Sequence, residues 1–277
     1  MSEGFEWAGA MGREWTRHQE ALDRQLAAAG EAGLRALASK AGEQVLDLGC
    51  GAGATSAEIA RAVGPEGHVT AIDISPDLLA VARARPGCER VTFLEGDAAA
   101  WPFPERAFDA LFSRFGCMFF DKPVAAFANL RRAMRPEGPA VLVTWREMPL
   151  NPWAAVPTAI GAELLGPAEP AAPGTPGPFA WAAPEVFRPI LEGAGFTGLA
   201  WEEHRITLTI GAEGEADAAS RAAALLTRIG PLARRLRNQP DELREAAMER
   251  LRPRLEPYVH EGWVRMPGTI WVIRARA

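Results

Sequence analysis

Three glycines at alternate positions, Gly49, Gly51 and Gly53, follow the apolar run Val45-Leu46-Asp47-Leu48. Glycine tolerates positive φ and, lacking a side chain, lets a ligand approach bare backbone. A buried strand that ends in such a turn and continues into a helix suits a nucleotide-like ligand. Asp47 adds a carboxylate just ahead of the turn. A second carboxylate, Asp73, closes Ala71-Ile72-Asp73-Ile74-Ser75 about 20 residues past the glycines, where it can accept hydrogen bonds from both hydroxyls of a ribose. A third, in Glu95-Gly96-Asp97-Ala98, can accept from an adenine amino group. A fourth loop, Ser113-Arg114-Phe115-Gly116, runs on through apolar residues to Phe120. The chemistry is that of holding a nucleoside and placing a second molecule beside it. No Ser-His-Asp set is visible. Cys50, Cys88 and Cys117 lie in unrelated segments with no CxxC or Cys/His spacing, so no metal site is expected.

Elements must carry these loops to one place. Apolar positions at near-helical spacing (Trp15, Leu22, Leu26, Leu34, Leu37) predict a helix over 13–38. Short apolar runs at 44–49, 68–74, 90–95, 108–115 and 139–145 are strand candidates. They alternate with helix-like segments at 55–63, 76–84 and 121–134, which implies a parallel sheet covered on both faces. Residues 146–183, rich in Pro, Gly and Ala, predict a long loop or partly ordered insertion; Trp153, Phe179 and Trp181 within it argue for a lid packed on something. A helix at 184–194, a strand at 199–210, a wholly helical stretch at 214–257 and a last strand at 268–274 complete the pattern. The organisation expected is a helical cap (1–42), a nucleoside-binding core (43–145), a lid (146–183) and a C-terminal part (184–277) whose helices at 214–257 cover the substrate.

Composition sets limits. The chain has 277 residues, is 48% hydrophobic and carries a net charge of −5, enough for a full core and no reason to expect nucleic acid. No apolar run reaches the ~20 residues of a membrane helix. The first residues lack a basic region followed by an apolar one, so no signal peptide is read. Unpaired cysteines fit a reducing cytoplasm.

The four loops together resemble the class I S-adenosylmethionine-dependent methyltransferases, and within them the small-molecule branch that includes the ubiquinone and menaquinone methylases. The matching residues are Asp47 to Gly53, Asp73-Ile74-Ser75, Gly96-Asp97-Ala98 with Pro102-Phe103-Pro104, Phe108-Asp109, and Leu130-Arg131-Arg132 leading to Arg135-Pro136-Glu137-Gly138. Glu137 and Pro139 depart mildly from the family's usual ending. The resemblance implies an α/β fold with a doubly wound, mostly parallel seven-stranded sheet, an N-terminal helix, and insertions forming a substrate cover. It implies S-adenosylmethionine as cofactor and S-adenosylhomocysteine as product. The turn at Gly49, Cys50, Gly51 and Gly53 would line the methionine part and Asp47 would help hold its amino group. Asp73 would bind the ribose and Ile74 pack on adenine, which Asp97 and the Ala98 backbone would read. Ser113 and Phe115 would lie nearest the sulfonium. The N-terminal helix would bring Trp15 and His18 over the cofactor, with His18 the candidate general base.

Alternatives stand beside this. The run Gly49 to Ala54 also fits the dinucleotide fingerprint of a nicotinamide-dependent oxidoreductase, and a non-catalytic binding domain is a third reading. Against a dinucleotide, Asp47 and Asp97 place carboxylates where a pyrophosphate wants bare N–H groups. The thiols are read as packing. The fourth loop lacks the Asn/Asp-Pro-Pro-Tyr/Phe of enzymes that methylate adenine or glutamine amide nitrogen, and its apolar run suggests an apolar or aromatic small-molecule acceptor. A monomer and a homodimer both remain open.

Overall fold

The structure, a computed structural model, describes residues 7–169 and 174–277. Five strands form a parallel sheet: β1 (Gln44–Leu48), β2 (His68–Asp73), β3 (Val91–Glu95), β4 (Ala110–Arg114) and β5 (Pro139–Trp145). Two long strands, β6 (Thr197–Ile210) and β8 (Trp263–Arg276), add antiparallel to the β5 edge. The order is 3-2-1-4-5-8-6, and the two-residue β7 (Val259–His260) pairs with β8 off this path. The expected doubly wound, mostly parallel sheet of seven strands is therefore present, with one short strand besides. Its order reverses between β1 and β4, the switch point where such sheets open a crevice at their carboxyl ends.

The helices α1 (Ala10–Arg17), α2 (Gln19–Leu37), α3 (Ala54–Val63), α4 (Pro76–Ala84) and α5 (Pro123–Ala133) flank this sheet. The helix expected over 13–38 is broken at His18, whose φ of −111° and ψ of 16° leave the helical region. Small residues on α2 let it lie close on the sheet: a Cβ on Gly33 would come within 2.5 Å of Val143 and 2.9 Å of Phe112. The start of α4 is built as its sequence suggests, with Ser75 Oγ accepting from Leu78 N at 3.4 Å and Pro76 in the first turn.

The C-terminal half departs more from expectation. Residues 146–183 are not one loop: α6 (Pro152–Leu165) occupies much of their first half. Its prolines suggested otherwise, but Pro152 sits in the first turn, where no N–H is needed. Pro157 lies inside the helix and is tolerated because Trp153, Ala154, Ile160 and Gly161 are buried with it, so tertiary packing outweighs propensity. Part of that stretch, 170–173, lies outside the described residues. The helix α7 (Pro184–Gly193) precedes β6. The wholly helical stretch expected over 214–257 consists of three helices joined by short turns: α8 (Ala218–Leu226), α9 (Pro231–Leu236) and α10 (Asp241–Leu255). The last strand starts five residues before 268, because Glu261 and Gly262, at φ of 48° and 75°, form a tight hairpin turn ahead of it. Glu137 also holds a positive φ, 63°, in the loop where its presence departs from the family's usual ending.

Candidate functional site

At the carboxyl ends of β1 to β4 lies a cavity of about 1050 Å³, at the upper end of the ~300–1,000 Å³ common for single ligand sites. It has room for a nucleoside and a second molecule. The loops after all four strands reach its wall, as do α1, the start of α2, and the turn between α8 and α9.

The glycine turn is held from below and behind. Gly49 N and Cys50 N donate to Ile72 O at 2.9 and 3.2 Å, and Gly51 N donates to Asp73 Oδ2 at 2.8 Å. Gly51 has φ +54° and a Cβ there would meet no protein atom within 4 Å, so its bare face opens on the cavity. Asp73 also accepts from Ser75 N through Oδ1 at 2.9 Å. One carboxylate thus shapes the first two loops and still presents lone pairs to the cavity. Burial pushes its acidity down, raising its pKa, while the Ser75 and Gly51 N–H groups oppose the shift.

Of the residues singled out in the sequence, Trp15, Gly49, Cys50, Gly51, Asp73, Ile74, Asp97, Ala98 and Phe115 line this cavity. Asp97 is exposed and turned back on its own loop, with Oδ1 accepting from Ala99 N at 2.9 Å. Phe115 holds φ +64°, unusual for a bulky residue, and stacks on Trp145 with ring centres 4.3 Å apart and planes within 6°. The Cys50 wall is backbone in character, since burial pushes its thiol well above the ordinary range; Cys117 rises to about 12 for the same reason. Neither offers a thiolate at neutral pH.

Four expectations are corrected. Asp47 does not reach the cavity wall. It is buried, and its Oδ2 accepts from Thr55 Oγ1 at 3.0 Å and Ser56 Oγ at 2.6 Å in the first turn of α3. Its Oδ1 has no hydrogen-bond partner among the described residues. Gly53 is likewise behind the wall: a Cβ on it would touch Ala82 at 3.0 Å and Cys88 at 3.4 Å. Ser113 is buried and its hydroxyl donates to Leu48 O at 2.8 Å, which ties β4 to β1 rather than facing a ligand. His18 sits at the α1–α2 break, 3.8 Å from Glu14 and off the wall. Burial, opposed by Glu14 and aided by the Arg228 and Arg17 charges, lowers its pKa. Among the described residues, no imidazole or phenol lines the cavity.

The Asp47 environment makes a pH prediction. Burial raises its pKa from 3.8 to about 6 despite the hydroxyl donors. A group whose folded pKa is raised stabilises the fold fully below its unfolded pKa and loses that contribution as pH climbs through the folded value. Between about pH 4 and pH 7 the unfolding free energy of the wild type, relative to Asp47→Asn, should fall by about 2–3 kcal/mol, the worth of two pKa units. Denaturant titrations of both proteins at the two pH values measure this; a difference independent of pH contradicts the assignment. Titrating groups that do not interact with Asp47 cancel in the comparison.

Several shaping residues carry no local sequence signal. Asn129 on α5 donates to Ala98 O at 3.1 Å and Trp101 O at 2.9 Å, fixing the loop that holds Asp97. Gly116 meets Gly49 backbone to backbone. Asn151, fully buried, makes five side-chain hydrogen-bond contacts with four residues and orients Trp153, whose ring centre lies 4.8 Å from Trp145. Phe115, Trp145, Trp153 and Phe179 so form one aromatic wall.

These observations fit an adenosyl cofactor. The bare glycine face, Asp73 and Asp97 on the cavity wall, and the Asp47 carboxylate buried under the first turn of α3 suit a cationic nucleoside; the same carboxylates oppose a pyrophosphate there. Comparison with known proteins agrees. Residues 45–138 match the methyltransferase domain family. Over 117 residues the chain is 37% identical to a demethylmenaquinone methyltransferase of Clavibacter sepedonicus, covering 42% of this chain and 46% of that protein. Over 130 residues it is 33% identical to a ubiquinone/menaquinone biosynthesis C-methyltransferase of Coxiella burnetii, covering 46% and 52%. The chain thus spans about half the length of the curated relatives it matches. The solved structure of the [4+2]-cyclase SpnF aligns with a TM-score of 0.53 at 22% identity, covering 93% of this chain and 82% of that one; at that identity the likeness is one of fold.

Proposed function

We propose that the chain is a class I S-adenosylmethionine-dependent methyltransferase, a reading supported by the match of residues 45–138 to the methyltransferase domain family, and that it transfers a methyl group from S-adenosylmethionine to a small acceptor with an apolar or aromatic body. The carrying observation is the Asp73 carboxylate, which braces the glycine turn and faces the same cavity as Asp97, Gly51 and the aromatic wall.

The cofactor supplies a methyl on a sulfonium, already activated toward displacement. What remains for the protein is orientation and exclusion of water. Asp73 would take the ribose hydroxyls and the loop at Asp97 and Ala98 the adenine. The Gly49 to Gly51 backbone would flank the methionine part, with the Asp47 charge buried beneath it. Phe115, stacked on Trp145, would face the acceptor. Trp7 and Trp15, edge to face at 5.1 Å, and Phe119, 5.4 Å from Trp7, close the cavity from the α1 side. A wall without imidazole or phenol suits an acceptor that needs no strong base, or one that loses its proton to a carboxylate or to water. No helix among the described residues is long and apolar enough to cross a membrane, and the unpaired cysteines suit a reducing cytoplasm.

Asp73→Ala tests this reading. Loss of a buried carboxylate that accepts charge-assisted bonds should weaken S-adenosylhomocysteine binding by about 1–3 kcal/mol, roughly 5- to 150-fold. Calorimetry on ligand-stripped protein reads it directly. Wild-type protein that takes up neither the cofactor nor its demethylated product, or a variant with unchanged affinity, contradicts it.

A further inference from the structure

The chain is acidic overall, yet the cover over the acceptor end of the cavity is cationic. Arg228, Arg234, Arg237 and Arg244, from the α8–α9 turn to α10, all line it. Two of them are well placed to receive a ligand. Arg228 forms no side-chain hydrogen bond or ion pair among the described residues, and it lies close enough to His18 for its charge to act on that ring. Arg244 donates from Nη1 to Thr227 O at 2.6 Å, which fixes its guanidinium at the end of α8 and leaves most of its donors for another partner. The acidic residues nearby do not cancel these charges. Asp23 pairs with Arg85 at 2.5 Å and Glu14 pairs with Arg17, and the cation Lys122 lines the cavity together with Asp121.

The cationic cover also meets the aromatic wall. Gly230, at φ +98°, passes over Trp153 so closely that a Cβ would lie 3.8 Å from the indole. A single residue, Ile229, separates Arg228 from that contact. A ligand lying against Trp153, Trp145 and Phe115 therefore has arginines at one end. Guanidinium forks favour carboxylate and phosphate, where two parallel N–H···O bonds can form.

We propose that the acceptor is an organic anion: an aromatic or apolar body against the Phe115–Trp145–Trp153 wall, carrying a carboxylate or phosphate that docks on Arg228 and Arg244. This rests on reading the cavity as a methyl-acceptor site and names the acceptor's chemical class.

The test uses the full chain saturated with S-adenosylhomocysteine and calorimetric titration with matched probes: benzoate and 2-naphthoate, the corresponding aryl phosphates, the neutral amides, and 2-naphthylmethylammonium. At least one anion is expected to bind tenfold or more tighter than its amide, the ammonium weakest. Whether carboxylate or phosphate leads identifies the group. Arg228→Gln, which removes no bond among the described residues, should cut the anion preference severalfold while leaving S-adenosylhomocysteine affinity and melting temperature unchanged. Equal binding of anion and amide, preference for the ammonium, or no binding by any anion overturns the proposal. So does an anion preference that Arg228→Gln and Arg244→Gln together leave intact. Failure of S-adenosylhomocysteine to bind instead strikes the methyltransferase reading; the same probes on ligand-free protein then still decide the anion preference.

Discussion

Replacing Asn151 with leucine should cost the fold about 4 kcal/mol, although the two side chains share the same heavy-atom count and branching. The Asn151 amide donates to Arg146 O, Glu147 O and Thr269 O at 3.1–3.2 Å. Its Oδ1 accepts from Trp153 Nε1 at 3.2 Å and Thr269 N at 3.0 Å. Two of the three carbonyls keep another donor, since Leu150 N reaches Glu147 O and Arg146 N reaches Thr269 O. The two N–H donors have no such reserve, and each buried orphan costs about 1–3 kcal/mol. The damage extends to the site, because Asn151 pins the start of α6 to β8 and sets the Trp153 ring. Urea unfolding of Asn151→Leu should show the loss, and indole emission from the folded variant should shift. Trp153→Phe, which removes a single one of the five bonds, should cost clearly less. A loss under about 1 kcal/mol for Asn151→Leu would show that the amide is not the hub the geometry makes it.

Gly49→Ala should be nearly as severe, at about 3–4 kcal/mol. Its Cβ would lie 2.7 Å from Gly116 Cα, and its φ is +66°. Overpacking against backbone costs about 1–3 kcal/mol and a left-handed non-glycine residue about 1–2 kcal/mol more. Backbone cannot swing aside as a side chain can. Gly116 faces the same limit from the other side, with a Cβ 2.7 Å from Leu48 O, though its own φ of −78° is ordinary. The loops after β1 and β4 therefore touch through two glycines. Gly51→Ala is the control: φ is +54° but nothing lies within 4 Å, so only the conformational cost of about 1–2 kcal/mol applies. Thermal unfolding of the three proteins under one condition ranks them. If Gly49→Ala is no worse than Gly51→Ala, the close approach is not what the fold needs.

The parts of the site legible in the sequence are those with local causes. Strand-end carboxylates at Asp73 and Asp97, the spaced glycines, and the Ser75-Pro76 helix start follow from turn chemistry and short-range periodicity. Five parallel strands came out within a residue or two of their observed ends for the same reason. The misplacements share a different cause. Asp47 and Ser113 stand one residue from cavity-lining neighbours, Leu48 and Arg114, but successive side chains on a strand point to opposite faces. His18 falls at a helix break that sends Arg17 and Gln19 to the cavity and leaves the imidazole off it.

The amino-acid sequence alone determined the alternation of strands and helices, the spaced-glycine turn, and the resemblance to a methyltransferase family, because hydrophobic period and turn residues act over a few positions. Only the tertiary structure decided what surrounds the cavity. Asn151 finds Thr269 across 118 residues, Gly49 touches Gly116, and Gly230 carries the arginine cover to Trp153. Such contacts form when distant segments bury surface against one another, and no window of the chain short enough to have its own periodicity contains both partners.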